Sequence, residues 1–132
     1  MSKCLSCGKE LLKSSSKFCS NKCQFDHTYS NYIRLWRLGV ADGGRGVNAR
    51  NLSGHIIRFI WNKYGNKCAR CGWCEKNIYS GRVFLEIDHI DGNSENNNEL
   101  NLILLCPNCH SLTSNYKNLN FGKGRLWRRK KV

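Results

Sequence analysis

The chain has 132 residues, with 22 Lys or Arg against 9 Asp or Glu, a formal charge of +13 with the histidines neutral. That length holds one domain or two very small ones. Hydrophobic residues make up 40 % and nine of them are cysteines, so the aliphatic core is thin for the length and another agent must stabilise the fold. No run of about 18 apolar residues exists and the N-terminal MSKCLSCGKE is not a signal peptide, which argues against membrane spanning and secretion. A cytoplasmic setting keeps thiols reduced. Paired cysteines there point to zinc rather than disulfides, and the positive charge points to a polyanion, with nucleic acid first.

The charge is unevenly spread: +8 over residues 1–66, −2 over 67–112 and +7 over 113–132. A protein that only coats phosphates gains nothing from central carboxylates, whereas one that holds a cation against a phosphate needs some.

In chain order, Cys4-x2-Cys7 and Cys19-x3-Cys23 form a Cys4 set suited to one tetrahedral zinc ion. The sequence between the pairs is too short and polar to fold by burial, so metal binding carries this unit. Phe18-Cys19-Ser20-Asn21-Lys22-Cys23 also resembles the FCS-type zinc fingers. From Gln24 a helix is expected, because Phe25, Tyr29, Tyr32, Ile33 and Trp36 trace one apolar stripe and Gly39 stops it. Residues 39–54 hold five glycines with Arg45 and Arg50 and show no period, reading equally as a linker or as a loop laid along DNA. A second helix starts near Ser53, with Ile56, Ile57, Ile60, Trp61 and Tyr64 on one stripe and Gly65 as its cap. Both stripes read as packing surfaces rather than as platforms for bases.

Cys68-x2-Cys71 and Cys106-x2-Cys109 make a second zinc set. Between them a strand is expected over Val83–Ile87, a polar turn-forming run over Asp88–Asn98 and a second strand over Leu102–Leu105. A helix follows from Pro107, which suits a first helical turn. Cys74 is a bystander, since four thiolates already complete the set.

Leu85-Glu-Ile-Asp88-His89-Ile90, then Asn101-Leu-Ile-Leu-Leu105, then Cys106-Pro-Asn-Cys109-His110 resembles the HNH endonuclease motif over roughly residues 68–116. The resemblance implies a small α+β, zinc-stabilised fold whose ββα-metal (His-Me finger) module is preceded by a Cys4 zinc finger and helices. It also implies hydrolysis of DNA phosphodiesters with one divalent cation, Mg²⁺ or Mn²⁺, beside two structural zinc ions. Asp88 and His110 take the role of cation ligands, His89 that of general base, and Asn101 that of orienting the loop or the base. An imidazole titrates near ~6.5 and suits the base role. A carboxylate and an imidazole leave coordination positions open for water and phosphate. The family often places a further His or Asn one turn after the last histidine; here Ser114 and Asn115 stand near that point, so a two-residue clamp is expected. Glu86, on the strand face of Asp88, is a further candidate support for the cation. Asp91, Glu95 and Glu99 read as solvated loop acids, with Asp91 able to stand behind the ligands.

The basic tail tracks phosphates. The candidate DNA contacts are Arg45, Arg50, Lys117, Lys123, Arg125, Arg128, Arg129 and Lys130. The expected organisation is a zinc finger over 1–23, a basic helical and Gly-rich DNA-binding or linker region over 24–66, a nuclease module over 67–118 and a basic tail over 119–132. The expected partner is double-stranded DNA, with no membrane, no organic cofactor and a monomeric or weakly dimeric state. Free-standing homing enzymes resemble this arrangement, which implies a phage or mobile-element protein acting in a bacterial cytoplasm. The competing reading is a noncatalytic zinc-dependent DNA-binding protein on the same scaffold; intact Asp88, His89 and His110 favour the enzyme.

Overall fold

The computed structural model describes residues 2–44, 52–114 and 116. The chain divides into two compact units, Met1–Ala41 and Asp42–Val132.

In the first unit a bridge between Lys3 and Glu10 closes the loop carrying Cys4 and Cys7. It leads to helix α1, Asn21–Arg37. The helix starts three residues before the expected Gln24, because Ser20 is its N-cap and accepts the Cys23 N–H at 3.2 Å. Apolar periodicity begins only at Phe25, so it marks the stripe and misses the first turn. Only the C-terminal half of that stripe, Ile33 and Trp36, is buried, and Phe25 is exposed. The helix ends at Leu38, where the Gly39 N–H bonds Trp36 O and the Val40 N–H bonds Leu35 O. This paired closure places Gly39 at φ +81°.

The second unit opens with the described ends of the Gly-rich segment paired, Gly44 against Leu52 and Ser53 N–H on Gly43 O. Helix α2, Gly54–Lys63, follows its N-cap Ser53. It closes like α1, with Gly65 N–H on Asn62 O and Asn66 N–H on Trp61 O. A two-stranded antiparallel sheet comes next, β1 (Glu86–His89) against β2 (Leu102–Leu105), in the register Glu86↔Leu105, Ile87↔Leu104, Asp88↔Ile103, His89↔Leu102. One 3-10 turn, Glu99–Asn101, precedes β2, and helix α3, Pro107–Ser111, follows it.

The second strand lies where expected. The first begins three residues later than Val83 and takes in Asp88 and His89 from the supposed turn. Pairing sets this boundary: the residue beyond Leu105 is Cys106, the N-cap of α3, so Leu85 has no strand partner. Tertiary pairing overrides the low strand preference of Asp.

Alternation along β2 makes two faces. Leu102 and Leu104 share one, and α2 packs on this strand with Ile56 and Ile60 fully buried. Burying an isoleucine contributes roughly 1.5–3 kcal/mol. Ile103 and Leu105 share the other face, in one cluster with Cys68, Cys106, Cys109, Trp73 and Leu85. The acidic pair Glu86 and Asp88 lies opposite Leu105 and Ile103 and hence on that second face, where α3 also packs. The protein is thus a small α+β fold whose ββα unit is stapled by cysteines. Among the described residues no helix is long and apolar enough to cross a membrane.

Candidate active site and metal centres

Both cysteine quartets gather. In each, Cys4, Cys7, Cys19, Cys23 and Cys68, Cys71, Cys106, Cys109, the four Sγ atoms lie within 4.8 Å of one another. Cys7 and Cys19 Sγ are 3.6 Å apart and Cys71 and Cys106 Sγ 3.7 Å. Sulfurs bound at 2.3 Å to a tetrahedral ion lie about 3.8 Å apart, so the spacing fits zinc. The first pair of each quartet turns alike: Gly8 N–H bonds Cys4 O and Gly72 N–H bonds Cys68 O, each glycine at φ +79°. Left-handed backbone at that position aims the intervening N–H groups at sulfur. Burial pushes the Cys68 thiol up, but N–H groups of Cys71, Cys106 and Arg70 outweigh it and bring it down to about 6. The Cys7 N–H brings Cys4 to about 6 against its burial. Burial and neighbouring thiols push Cys109 up to about 12, and hydrogen bonds made by the Cys19 thiol, donated to Cys23 and shared with Cys7, do so for Cys19. Four thiols this close share their protons unequally, and a divalent cation at the centre favours all four thiolates together. Cys74 belongs to neither quartet.

The second quartet positions α3. Cys106 caps the helix, its Sγ accepting the Cys109 N–H at 3.4 Å, and Pro107 occupies the first turn. The Ala69 N–H donates to Leu104 O, tying the first knuckle to β2. His110 thereby faces the acidic side of β1. Its Nδ1 lies 3.8 Å from Asp88 Oδ1 and its Nε2 lies 3.3 Å from Glu86 Oε2. Nδ1 is buried and has no hydrogen-bond partner among the described residues. Two ligands bound at about 2.1 Å to one cation lie roughly 3 to 4 Å apart, so the Asp88 and His110 atoms fit a shared divalent ion. Burial pushes the Asp88 carboxyl up, against the opposing pull of His110 and His89. A cation beside it would favour its ionised form. The Tyr116 ring meets His110 edge-on, centroids 5.3 Å apart.

His89 ends β1 on the opposite face from Asp88, and its Nε2 lies 2.8 Å from Asn97 Oδ1. An amide oxygen only accepts, so this contact suits the tautomer with the proton on Nε2, in which Nδ1 offers a lone pair. Asn97 was not anticipated from the sequence; the run of three asparagines at 96–98 hid which one reaches the ring.

Asn101, 9 % exposed, ties the loop rather than the histidine. Its Nδ2 donates to Asp91 Oδ1 at 2.9 Å and to Asn96 O at 2.8 Å, and its Oδ1 accepts the Asp91 N–H at 3.0 Å. Its backbone oxygen accepts the Ile90 N–H. Asp91 is therefore a structural acceptor rather than a merely solvated acid. Burial acts to raise its pKa, but hydrogen bonds from Asn96, the Asn93 backbone and Asn101, with the nearby His89, hold it below the usual carboxylate value. Glu99 pairs with Lys63 at 3.7 Å. Glu95 is exposed, as expected.

Arg45, Arg50, Asn115, Lys117, Lys123, Arg125, Arg128, Arg129 and Lys130 lie outside the described residues. Ser114 is exposed.

Residues 68–115 match the family model described as HNH endonuclease. Over 61 residues, 44 % of this chain, the sequence is 46 % identical to the H-N-H endonuclease F-TflIV of Escherichia phage T5. The match covers 25 % of that protein's length. No solved structure matches the chain. The stretch that is similar to HNH endonucleases thus takes in the ββα unit and its second cysteine quartet.

Proposed function

We propose that the protein is a metal-dependent DNA endonuclease that hydrolyses phosphodiester bonds with one divalent cation, Mg²⁺ or Mn²⁺. The observation that carries this reading is the buried, unpartnered Nδ1 of His110 beside Asp88, on the sheet that carries His89 and within the HNH match. In this reading Asp88 and His110 hold the cation, which supplies positive charge against the phosphate and leaving oxygens. His89 accepts through Nδ1 the proton of the attacking water as the new oxygen–phosphorus bond forms and the bond to the leaving oxygen breaks. Asn97 keeps the His89 proton on Nε2, and Asn101 holds the loop between them. Zinc in the two quartets is structural.

Around this domain we assign residues 1–23 as a finger and 24–66 as a basic DNA-binding or linker region, with 67–118 as the nuclease module and 119–132 as a phosphate-tracking tail. Arg45, Arg50, Lys117, Lys123, Arg125, Arg128, Arg129 and Lys130 would contact the DNA backbone. The net charge of +13 supports a polyanionic substrate. We further read the enzyme as homing-type and phage-borne, acting in a bacterial cytoplasm as a monomer or weak dimer. Cleavage of supercoiled plasmid with added Mn²⁺ or Mg²⁺, and its loss with chelator, tests the reading.

A further inference from the structure

We propose that Glu86 is a positioning residue that fixes the tautomer of His110, holding the proton on Nε2 so that Nδ1 offers its lone pair beside Asp88. The inference rests on the cation site proposed above and extends it to a residue outside the motif's three name-giving positions.

The geometry begins with strand alternation. Glu86 and Asp88 lie two residues apart on one face of β1, and each meets a different nitrogen of the same ring. A free imidazole has two tautomers, and it ligates through the nitrogen that lacks the proton. Glu86 Oε2 stands 3.3 Å from Nε2, within reach of a hydrogen bond, and an ionised carboxylate only accepts. That contact places the proton on Nε2. The ring's remaining nitrogen is the buried one, and it faces the more enclosed carboxylate: the Asp88 side chain is 15 % exposed and that of Glu86 60 %. A ligating histidine commonly donates its other N–H to a carboxylate, and loss of such a partner typically costs 10–100-fold in metal affinity. The Tyr116 ring packs edge-on against the same imidazole.

The rival role for Glu86 is direct ligation of the cation, and the amide variant separates the two. Glu86→Gln retains an oxygen that accepts from Nε2–H, whereas it is a poor substitute for a charged ligand. Glu86→Ala removes both functions. The zinc-loaded full chain is titrated with MnCl₂ by calorimetry, and the His110 ring nitrogens are read by ¹⁵N NMR in the protein without added Mn²⁺. Retention of both zinc ions serves as the folding control for each variant. The proposal expects an Nε2–H tautomer in the wild type, a tautomer mixture with Mn²⁺ affinity about 10–100-fold weaker in Glu86→Ala, and recovery of most of that loss in Glu86→Gln. Equal losses in the two variants, an unchanged affinity in Glu86→Ala, or an Nδ1–H tautomer in the wild type would each overturn it. A wild type with the Nε2–H tautomer that binds no Mn²⁺ would instead overturn the cation reading, so the two failures are distinct.

Discussion

Replacing Asn101 by alanine removes three hydrogen bonds that hold the loop between His89 and β2. Each contributes on the order of 1 kcal/mol net, and the nearly buried position gives water poor access to the groups left behind. The expected loss is about 3 kcal/mol, since Asp91 is exposed enough that its charge adds little beyond an ordinary hydrogen bond. Urea denaturation of the zinc-loaded wild type and Asn101→Ala measures it. The pH dependence carries a second expectation. Asp91 is held below its ordinary value of 3.8, so its contribution is fully present above that value and is lost only as the pH falls through the lower folded-state value. The difference between the two proteins, each compared with its zinc bound, should therefore stay constant from about pH 8 to pH 5. A loss below about 1 kcal/mol, or a difference that shrinks across that range, would refute the account of Asn101 as the tie of this loop.

Asn97→Ala should lower kcat about 10–100-fold while DNA affinity stays within a few-fold, because the tautomer of the base is no longer set; equal effects on both would place Asn97 in DNA binding instead. Gly72→Ala should destabilise the second quartet by roughly 1–2 kcal/mol through backbone strain alone, since its φ is +79° and an added Cβ meets nothing within 4 Å. Gly54→Ala, equally open and without a positive φ, should be neutral or slightly stabilising by thermal melting. Native mass spectrometry should find two zinc ions in the wild type and one in Cys109→Ser, with loss of structure in the ββα unit; retention of both ions would count against the quartet.

Much of the site is legible in the sequence because its chemistry depends on residue type and spacing. Cysteine pairs close enough in sequence to grip one ion announce both quartets, and Leu102–Leu105 is apolar enough to be read as a strand alone. Boundaries set by tertiary contacts are less legible. Asp88 and His89 look like turn residues and become strand because Leu102 and Ile103 pair with them, and α1 begins at Asn21 because a serine caps it, before any apolar period starts. The hydrogen-bond partners are least legible. The stretch from Asn93 to Asn101 includes five asparagines, and only the folded loop separates Asn97 at the imidazole from Asn101 at Asp91.

The most direct test of the central claim is conversion of supercoiled plasmid to nicked or linear form by the zinc-loaded protein with Mg²⁺ or Mn²⁺, compared with His89→Ala under conditions where both bind the DNA equally. The account predicts metal-dependent cutting by the wild type, loss of cutting in His89→Ala and unchanged binding. Equal cutting by the two proteins would contradict His89 as the base, and binding without cutting by the wild type on any DNA supplied would contradict the nuclease reading and favour a zinc-stapled DNA-binding module.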